Sequence, residues 1–296
     1  MTQPATAPTD EPQIPQRPLR VAIQGYPGAF HEIAARQYFS TETVEIIPAL
    51  TFDDLIEIVE SGEQADVGLM AMENTLAGGL MGNFRLLNES KLQAAGEILL
   101  HIRQNLMALP GVRIENLTEV HSHPVAIEQC REFFRKHPHI RLVEMEDTAL
   151  SARNIRDWRL REVGAIASTL SAELYGLNLL AESIETNKKN QTRFLVLHRE
   201  AEVQEDPAAD KVSLSFTVDH EVGSLYKVLA VLAAYHANLT KIQSMPIIGK
   251  PWEYLFFLDF VTEGTPSHQQ AIEAIRPITK HLKVLGVYPK GKLIEQ

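Results

Sequence analysis

The chain of 296 residues has a single cysteine, Cys130. That excludes an intrachain disulfide framework and a cysteine-based metal cluster, and fits a reducing cytoplasm. Positive charge is scarce too: 28 Lys and Arg face 38 Asp and Glu, a formal net charge of -10, and no basic block accumulates. Nucleic-acid binding needs a basic face and is disfavoured. No apolar run reaches the ~18 to 20 residues of a membrane helix. The first 18 residues carry Pro4, Pro8, Pro12, Pro15 and Pro18 but neither the basic nor the apolar region of a signal peptide, and read as a disordered tail.

What remains is an ordinary globular composition, 45% hydrophobic and 22% charged, on a chain long enough for two or three compact units. From Leu19, short apolar runs alternate with amphipathic stretches, the pattern of βαβ units in an α/β domain. Runs at Val21–Gly25, Val44–Ile47 and the one ending at Asn74 are expected strands, leading into helices over 29–39, 52–59 and 80–87. Ile98–Leu109 is expected to leave this first lobe as a strand. Runs ending at His123, Val143 and Ser168 then lead into helices over 125–134, 149–155 and 170–175, a similar second lobe over about 99–180. Leu195–Leu197 reads as a strand returning to the first lobe or the hinge, which closes the unit 19–198. The acidic, polar stretch 199–210 reads as a linker. Beyond it, 211–291 follow the βαββαβ order of a ferredoxin-like module.

Four loops hold candidate chemistry. Gly25–Phe30 joins a strand to a helix through two glycines whose N–H groups can cradle an anion, although ordinary βα turns look the same. Without G-x-G-x-x-G or G-K-[ST] a nucleotide site is disfavoured, and His31-Glu32 is no zinc motif because Ala35 stands where the second His belongs. Met72–Thr75, with Gly78 and Gly79, lies at the edge where α/β sheets bind ligands, or caps a helix through Asn74 or Thr75. In His121-Ser122-His123-Pro124 the histidines point to opposite sides of an extended chain, so a shared metal is disfavoured. Ser122 lacks the G-x-S-x-G setting of a nucleophile and reads as a cap or a ligand donor. In Asn190–Phe194, Thr192 can donate a hydrogen bond and Arg193 is the only strong cation of the four segments. A free hydroxyl is a very weak acid, so Thr192 can assist a leaving group only in a pre-organised site with a labile substrate.

Jointly, GYPGAF, MENTLAGG, HSHP followed by Gln129-Cys130, IASTLSAELYGL and NQTRF stand in the order and approximate spacing of the prephenate dehydratase family, which the chain resembles over about 19–290. The resemblance implies a two-lobed catalytic domain like a type II periplasmic binding protein, with prephenate in the cleft. It also implies loss of CO2 and the ring hydroxyl to give phenylpyruvate without cofactor or metal. Thr192 matches the threonine regarded as catalytic, and Gly28, Ala29, Glu73, Asn74, Thr75, Ser122, His123, Arg193 and Phe194 match positions assigned to holding substrate. Two departures stand out: Thr75 replaces a serine, and Phe30-His31-Glu32 lacks the family's serine after the aromatic residue.

The C-terminal module resembles the ACT domain of the same family. The resemblance implies a homo-oligomer, dimer or tetramer, binding phenylalanine through Gly223, Ser224, Leu225, Asn238, Leu239, Thr240, Ser244 and Pro246. The family's E-S-R-P reads Gln243-Ser244-Met245-Pro246, so both charges are gone. Three other readings stay open: an arogenate dehydratase, a non-enzymatic solute or amino-acid sensor, and an ACT unit serving only as a dimerisation surface.

Overall fold

A computed structural model describes residues 17–204, 206–262 and 264–295; the expected tail, but for its last two residues, lies outside them. The first lobe builds β1 (Leu19–Gln24), α1 (Phe30–Tyr38), β2 (Val44–Ala49), α2 (Phe52–Ser61), β3 (Val67–Asn74), β4 (Gly78–Gly79), α3 (Met81–Glu89) and β5 (Leu92–His101). Local signals set the boundaries. In α2, Thr51 and Asp54 form a reciprocal capping box, and Gly62 ends the helix in the left-handed conformation.

The chain then crosses into the second lobe: β6 (Asn105–Ala108), β7 (Glu119–Ser122), α4 (Pro124–Gln129), α5 (Arg131–Phe134), β8 (Arg141–Glu144), α6 (Thr148–Trp158), β9 (Val163–Ala167), α7 (Thr169–Tyr175) and β10 (Asn178–Ala181). Its five strands run in the order β10-β6-β9-β7-β8. The single strand expected over 98–109 is two, because the chain turns at 102–104 to change lobes. The expected helix over 125–134 breaks at Cys130.

Strand β11 (Gln191–Arg199) returns between β5 and β3, antiparallel to both. One face of this sheet buries Val21, Ile23, Leu69, Phe194 and Val196 beneath α1. The other buries Met70, Met72, Leu195 and Leu197 beneath α2 and α3. Against β3, Phe194 pairs with Ala71 but Arg193 pairs with Glu73. Met72 is therefore the extra residue of a β-bulge, and the bulge reverses the alternation of β3 beyond it. Asn74 comes to the Thr192 face, and Glu73 goes to the opposite face with Arg193.

The last module comprises β12 (Lys211–Thr217), α8 (Ser224–Ala234), β13 (Asn238–Pro246), β14 (Tyr254–Val261), α9 (His268–Ile275), β15 (Lys280–Tyr288) and β16 (Leu293–Ile294). Its strand order, β13-β14-β12-β15, continues through β5 into the first lobe, giving one sheet from β13 to β2. The stretch 199–210, expected as a linker, thus connects two parts of a single sheet. The join is short: Gly286 pairs with Ala94, where a Cβ on Gly286 would stand 2.2 Å from the Ala94 carbonyl oxygen. One ladder pair contributes about 1 kcal/mol. Burial of Phe257, Leu285 and Tyr288 with Phe84, Leu92 and Ala94 contributes more, at ~1.5 to 3 kcal/mol for each large side chain.

Candidate active site

Thr192 opens β11 where the first lobe meets the crossings to the second. Its Oγ1 accepts a hydrogen bond from Asn74 Nδ2 at 3.0 Å, and the same nitrogen donates to Asn190 Oδ1 at 2.8 Å. The orientation of the Asn74 amide is fixed independently, since its Oδ1 accepts from the backbone N–H groups of Leu76 and Ala77, both at 2.9 Å. Asn190 then donates to Gln129 Oε1 at 2.8 Å, and Gln104 donates to the same oxygen at 3.2 Å. The chain ends at Gln104, whose Oε1 is buried with no hydrogen-bond partner among the described residues. Because Thr192 Oγ1 is an acceptor towards Asn74, its own O–H is left to donate elsewhere.

Thr75 braces the same loop: its hydroxyl donates to Lys189 O at 2.8 Å and accepts from Gln191 N–H at 3.0 Å. Beside this chain, a cavity of about 470 Å³ is lined by Leu76 and Ala77 on one side and by Val125, Gln129, Arg131 and Arg135 of the second lobe on the other.

The GYPGAF loop lies at the seam between lobes. The Gly28 carbonyl accepts from Ser168 Oγ at 2.6 Å and Ser171 Oγ at 2.9 Å, and Gly28 N–H donates to the buried Glu32 at 2.7 Å. Tyr175 donates to Pro27 O at 2.6 Å, and Arg153 lies 4.7 Å over the Tyr26 ring. Gly28 has φ +92°, and a Cβ there would sit 2.7 Å from Ser171 Oγ. Only glycine fits. Gly28 and Ala29 are both buried, with their N–H groups committed within the loop. This corrects their assignment to substrate: Gly28 latches the lobes together, and Ala29 N–H closes the turn on Tyr26 O.

Arg193 is corrected as well. Its side chain is 5% exposed and turns to the face opposite Thr192. Nε donates to Glu97 at 2.6 Å, Nη1 to Asp259 at 2.5 Å and Glu73 at 3.3 Å, and Nη2 to the Tyr288 hydroxyl at 2.8 Å. Glu97 also accepts from Lys211 Nζ, 2.8 Å to each oxygen, and Glu73 pairs with Lys241. Burial alone would lower the Arg193 pKa, yet Tyr288, Asp259, Glu97 and Glu73 hold it well above its ordinary value. Burial would raise the Glu73 carboxyl, but Lys241 and Arg193 keep it low. Glu73 therefore belongs to this ion cluster and not to the Thr192 face.

Three more assignments change. Phe194 is 1% exposed in the core beneath α1. Ser122 is fully buried and donates to Ile166 O at 2.7 Å, so it ties two strands of the second lobe. His123 caps α4 through Nδ1, which accepts from Val125 N–H at 3.2 Å; burial lowers its pKa. Among the described residues no His/Cys/Asp/Glu cluster could hold a metal.

Sequence reasoning did not single out Asn190, Gln129, Gln104, Ser168 or Ser171, although all but Gln104 stand inside the quoted motifs. It also passed over His31 as a functional group. The His31 Nε2 is buried without a hydrogen-bond partner among the described residues, and the ring meets Phe194 edge-on at 4.9 Å and Phe52 at 5.8 Å. Burial pushes its pKa down to about 4, so it is neutral near pH 7. It occupies the position where the family pattern has a serine.

In the C-terminal module, Gly223 (φ +81°), Ser224 and Leu225 open α8, while Asn238, Leu239 and Thr240 begin β13 and Ser244 and Pro246 end it. Residues of β13 form the outer edge of the long sheet, with Asn238, Leu239, Thr240, Ser244 and Pro246 exposed. Because α8 runs back between β12 and β13, Gly223 and Asn238 lie at opposite ends of that helix.

Residues 21–202 match the family model described as prephenate dehydratase. Arogenate dehydratase 2 of Petunia hybrida is 37% identical over 286 residues, covering 92% of this chain and 72% of that protein. A solved structure of prephenate dehydratase from Arthrobacter aurescens in complex with L-Phe is 28% identical with a TM-score of 0.82, covering 92% of this chain and 90% of the other. Another, described as a novel type of quorum quenching acylase, is 32% identical with a TM-score of 0.83, covering 92% of this chain and 98% of the other.

Proposed function

The chain belongs to the prephenate dehydratase family, and from that premise we propose that it converts prephenate to phenylpyruvate, with Thr192 donating a hydrogen bond to the departing hydroxyl. The observation that carries this reading is the direction of the amide chain. Asn74 occupies the acceptor side of Thr192 Oγ1, so the hydroxyl proton is presented outward. In the reaction the ring–carboxylate bond breaks and releases CO2. Its electron pair moves into the ring, the C–OH bond breaks, and the oxygen leaves as water after gaining one proton. Aromatisation supplies the driving force. The protein has to orient the leaving oxygen and stabilise its developing charge, a task for pre-organised donors.

With Arg193 committed to carboxylates, the substrate's two negative charges must be met by other groups. Arg131 and Arg135, on the cavity wall shared with Gln129, are the cations we assign to this role; each now pairs with an exposed carboxylate of the same wall, Glu128 and Glu132, which the substrate would have to displace. The alternative acyl-transfer chemistry would need an activated nucleophile. Among the described residues the Thr192 hydroxyl is partnered by the Asn74 amide and by no base, and Ser122 is buried against a backbone carbonyl, which favours the dehydratase reading.

The C-terminal module, read as an ACT domain, is the second half of the proposal. Gly223–Leu225 and Asn238–Thr240 at opposite ends of α8 cannot close on one small molecule within a single copy. A two-fold partner would bring one set beside the other, which supports a homo-oligomer that binds L-phenylalanine between modules. No helix among the described residues is long and apolar enough to cross a membrane.

The test is turnover by the purified full chain. Prephenate and arogenate are supplied in parallel, with and without L-phenylalanine, and phenylpyruvate and phenylalanine are measured as products. Prephenate is expected to show the higher kcat/KM, with phenylalanine reducing it. Absence of both products would end the dehydratase reading, and a larger kcat/KM for arogenate would reassign the substrate.

A further inference from the structure

We propose that Arg193 is a positioning residue for the reaction at Thr192, and that the C-terminal module thereby completes the active site from behind the sheet. The inference rests on the reading of Thr192 given above. Thr192 and Arg193 are adjacent on β11, so their side chains leave opposite faces of the same short stretch of backbone. Whatever fixes one constrains the other.

The link runs through the β-bulge. Asn74 orients the Thr192 hydroxyl only because Met72 is the extra residue that puts Asn74 across from Thr192. Glu73, between them, is held on the far face by Arg193 Nη1 and by Lys241 of β13. Arg193 thus clamps the bulge to β11. Asp259 of β14 and Tyr288 of β15 hold the guanidinium from the module's side. Ser213 of β12 meets the Tyr288 hydroxyl at 2.5 Å. Two of the four groups that fix Arg193, Asp259 and Tyr288, therefore belong to the C-terminal module.

Charge arithmetic supports a positioning role. The cluster has three cations, Arg193, Lys211 and Lys241, and three carboxylates, Glu73, Glu97 and Asp259. It is balanced, with no charge left over for an exogenous anion. A buried cluster of this kind is a poor source of net stability, because desolvation offsets attraction. It does fix geometry, since guanidinium and carboxylate bind in a narrow range of orientations.

The experiment uses the full chain and the isosteric variant Asp259→Asn, with Thr192→Val and the double variant alongside. Asp259→Asn is expected to lower kcat by about 10- to 100-fold, the cost of a small misplacement, with KM within about twofold. In the Thr192→Val background that loss should disappear, because there is no hydroxyl left to position. Should Asp259→Asn fail to give a cooperative thermal melt, Tyr288→Phe removes one acceptor without changing charge and takes its place in the same cycle. The proposal is overturned if kcat is unchanged, or if the same factor persists without the Thr192 hydroxyl. Full turnover by Thr192→Val would instead sink the reading of Thr192 itself.

Discussion

The two faces of β11 at its first turn of sequence could hardly differ more. At Thr192 the partners are neutral: a hydroxyl and four amides linked in one hydrogen-bonded chain. At Arg193, one residue on, six charged groups are packed together against a tyrosine. The contrast separates two tasks. A neutral network can present a proton donor without attracting a counter-ion to it, while the charged network holds the strand from behind. It also explains how an acidic protein can host a dianionic substrate without placing its one well-buried arginine in the cleft.

The comparison breaks first at Thr192. Replacing it by Val removes the donor but keeps the shape, and kcat is expected to fall by ~10² to 10⁴ with stability changed by less than about 1 kcal/mol; steady-state kinetics and a thermal melt read both. Arg193→Met should lower kcat as well, as its positioning role requires, and should add a large loss of stability that Thr192→Val does not show. Leaving Glu97 and Asp259 buried without their shared cation is expected to cost ~3 to 5 kcal/mol, read as a shifted urea midpoint. An unchanged midpoint would erase the distinction between the two faces.

A third test concerns His31, on the Thr192 side. Its folded pKa of about 4 lies below the ordinary 6.5, so between those values the unfolded chain binds more protons than the folded one. Stability therefore falls as pH drops from about 6.5 towards 4, by on the order of 1 to 3 kcal/mol from this group. His31→Phe should flatten that part of the profile relative to the parent chain, and parallel profiles would contradict the burial argument. The smallest effect is expected at Arg131, whose pair with Glu128 is exposed. Arg131→Gln should leave the melting temperature almost unchanged, as surface pairs contribute ~0 to 1 kcal/mol. KM for prephenate should rise several-fold, about 1 kcal/mol of binding. An unchanged KM would move the substrate's carboxylates to another wall.

Much of this was legible in the sequence. Thr192 and Asn74 were singled out as polar groups at strand ends, and the βαββαβ order of 211–291 follows from alternating apolar runs. What could not be read was the side of the sheet each residue faces. Glu73 and Asn74 look equivalent in MENT, and only the extra residue at Met72 sends them to opposite faces. Arg193 looked available for substrate because its partners, Asp259 and Tyr288, are 66 and 95 residues away in the chain. Gly28 looked like an anion cradle, and no local pattern announces that Ser168 and Ser171 of the other lobe will occupy its carbonyl. The acidic stretch 199–210 suggested separated units, whereas Gly286 permits a backbone approach that fuses them.

The crossings between lobes have a consequence of their own. The chain leaves the first lobe after β5 and re-enters it at β11, the neighbouring strand, so the second lobe is an insertion whose two covalent crossings lie side by side, with the Gly28 latch as a separate tie. At the crossings Ile102 N–H donates to Asn190 O at 2.8 Å and Ile184 N–H to Gln104 O at 2.7 Å. Any swing of the second lobe must pivot on these segments and on the Gly28 latch, and Gln104 and Asn190 also belong, through Gln129 and Asn74, to the amide chain that ends at the Thr192 hydroxyl. The two crossings are thus structural hinge and active-site wall at once, so a substitution chosen to loosen one will be felt in the other.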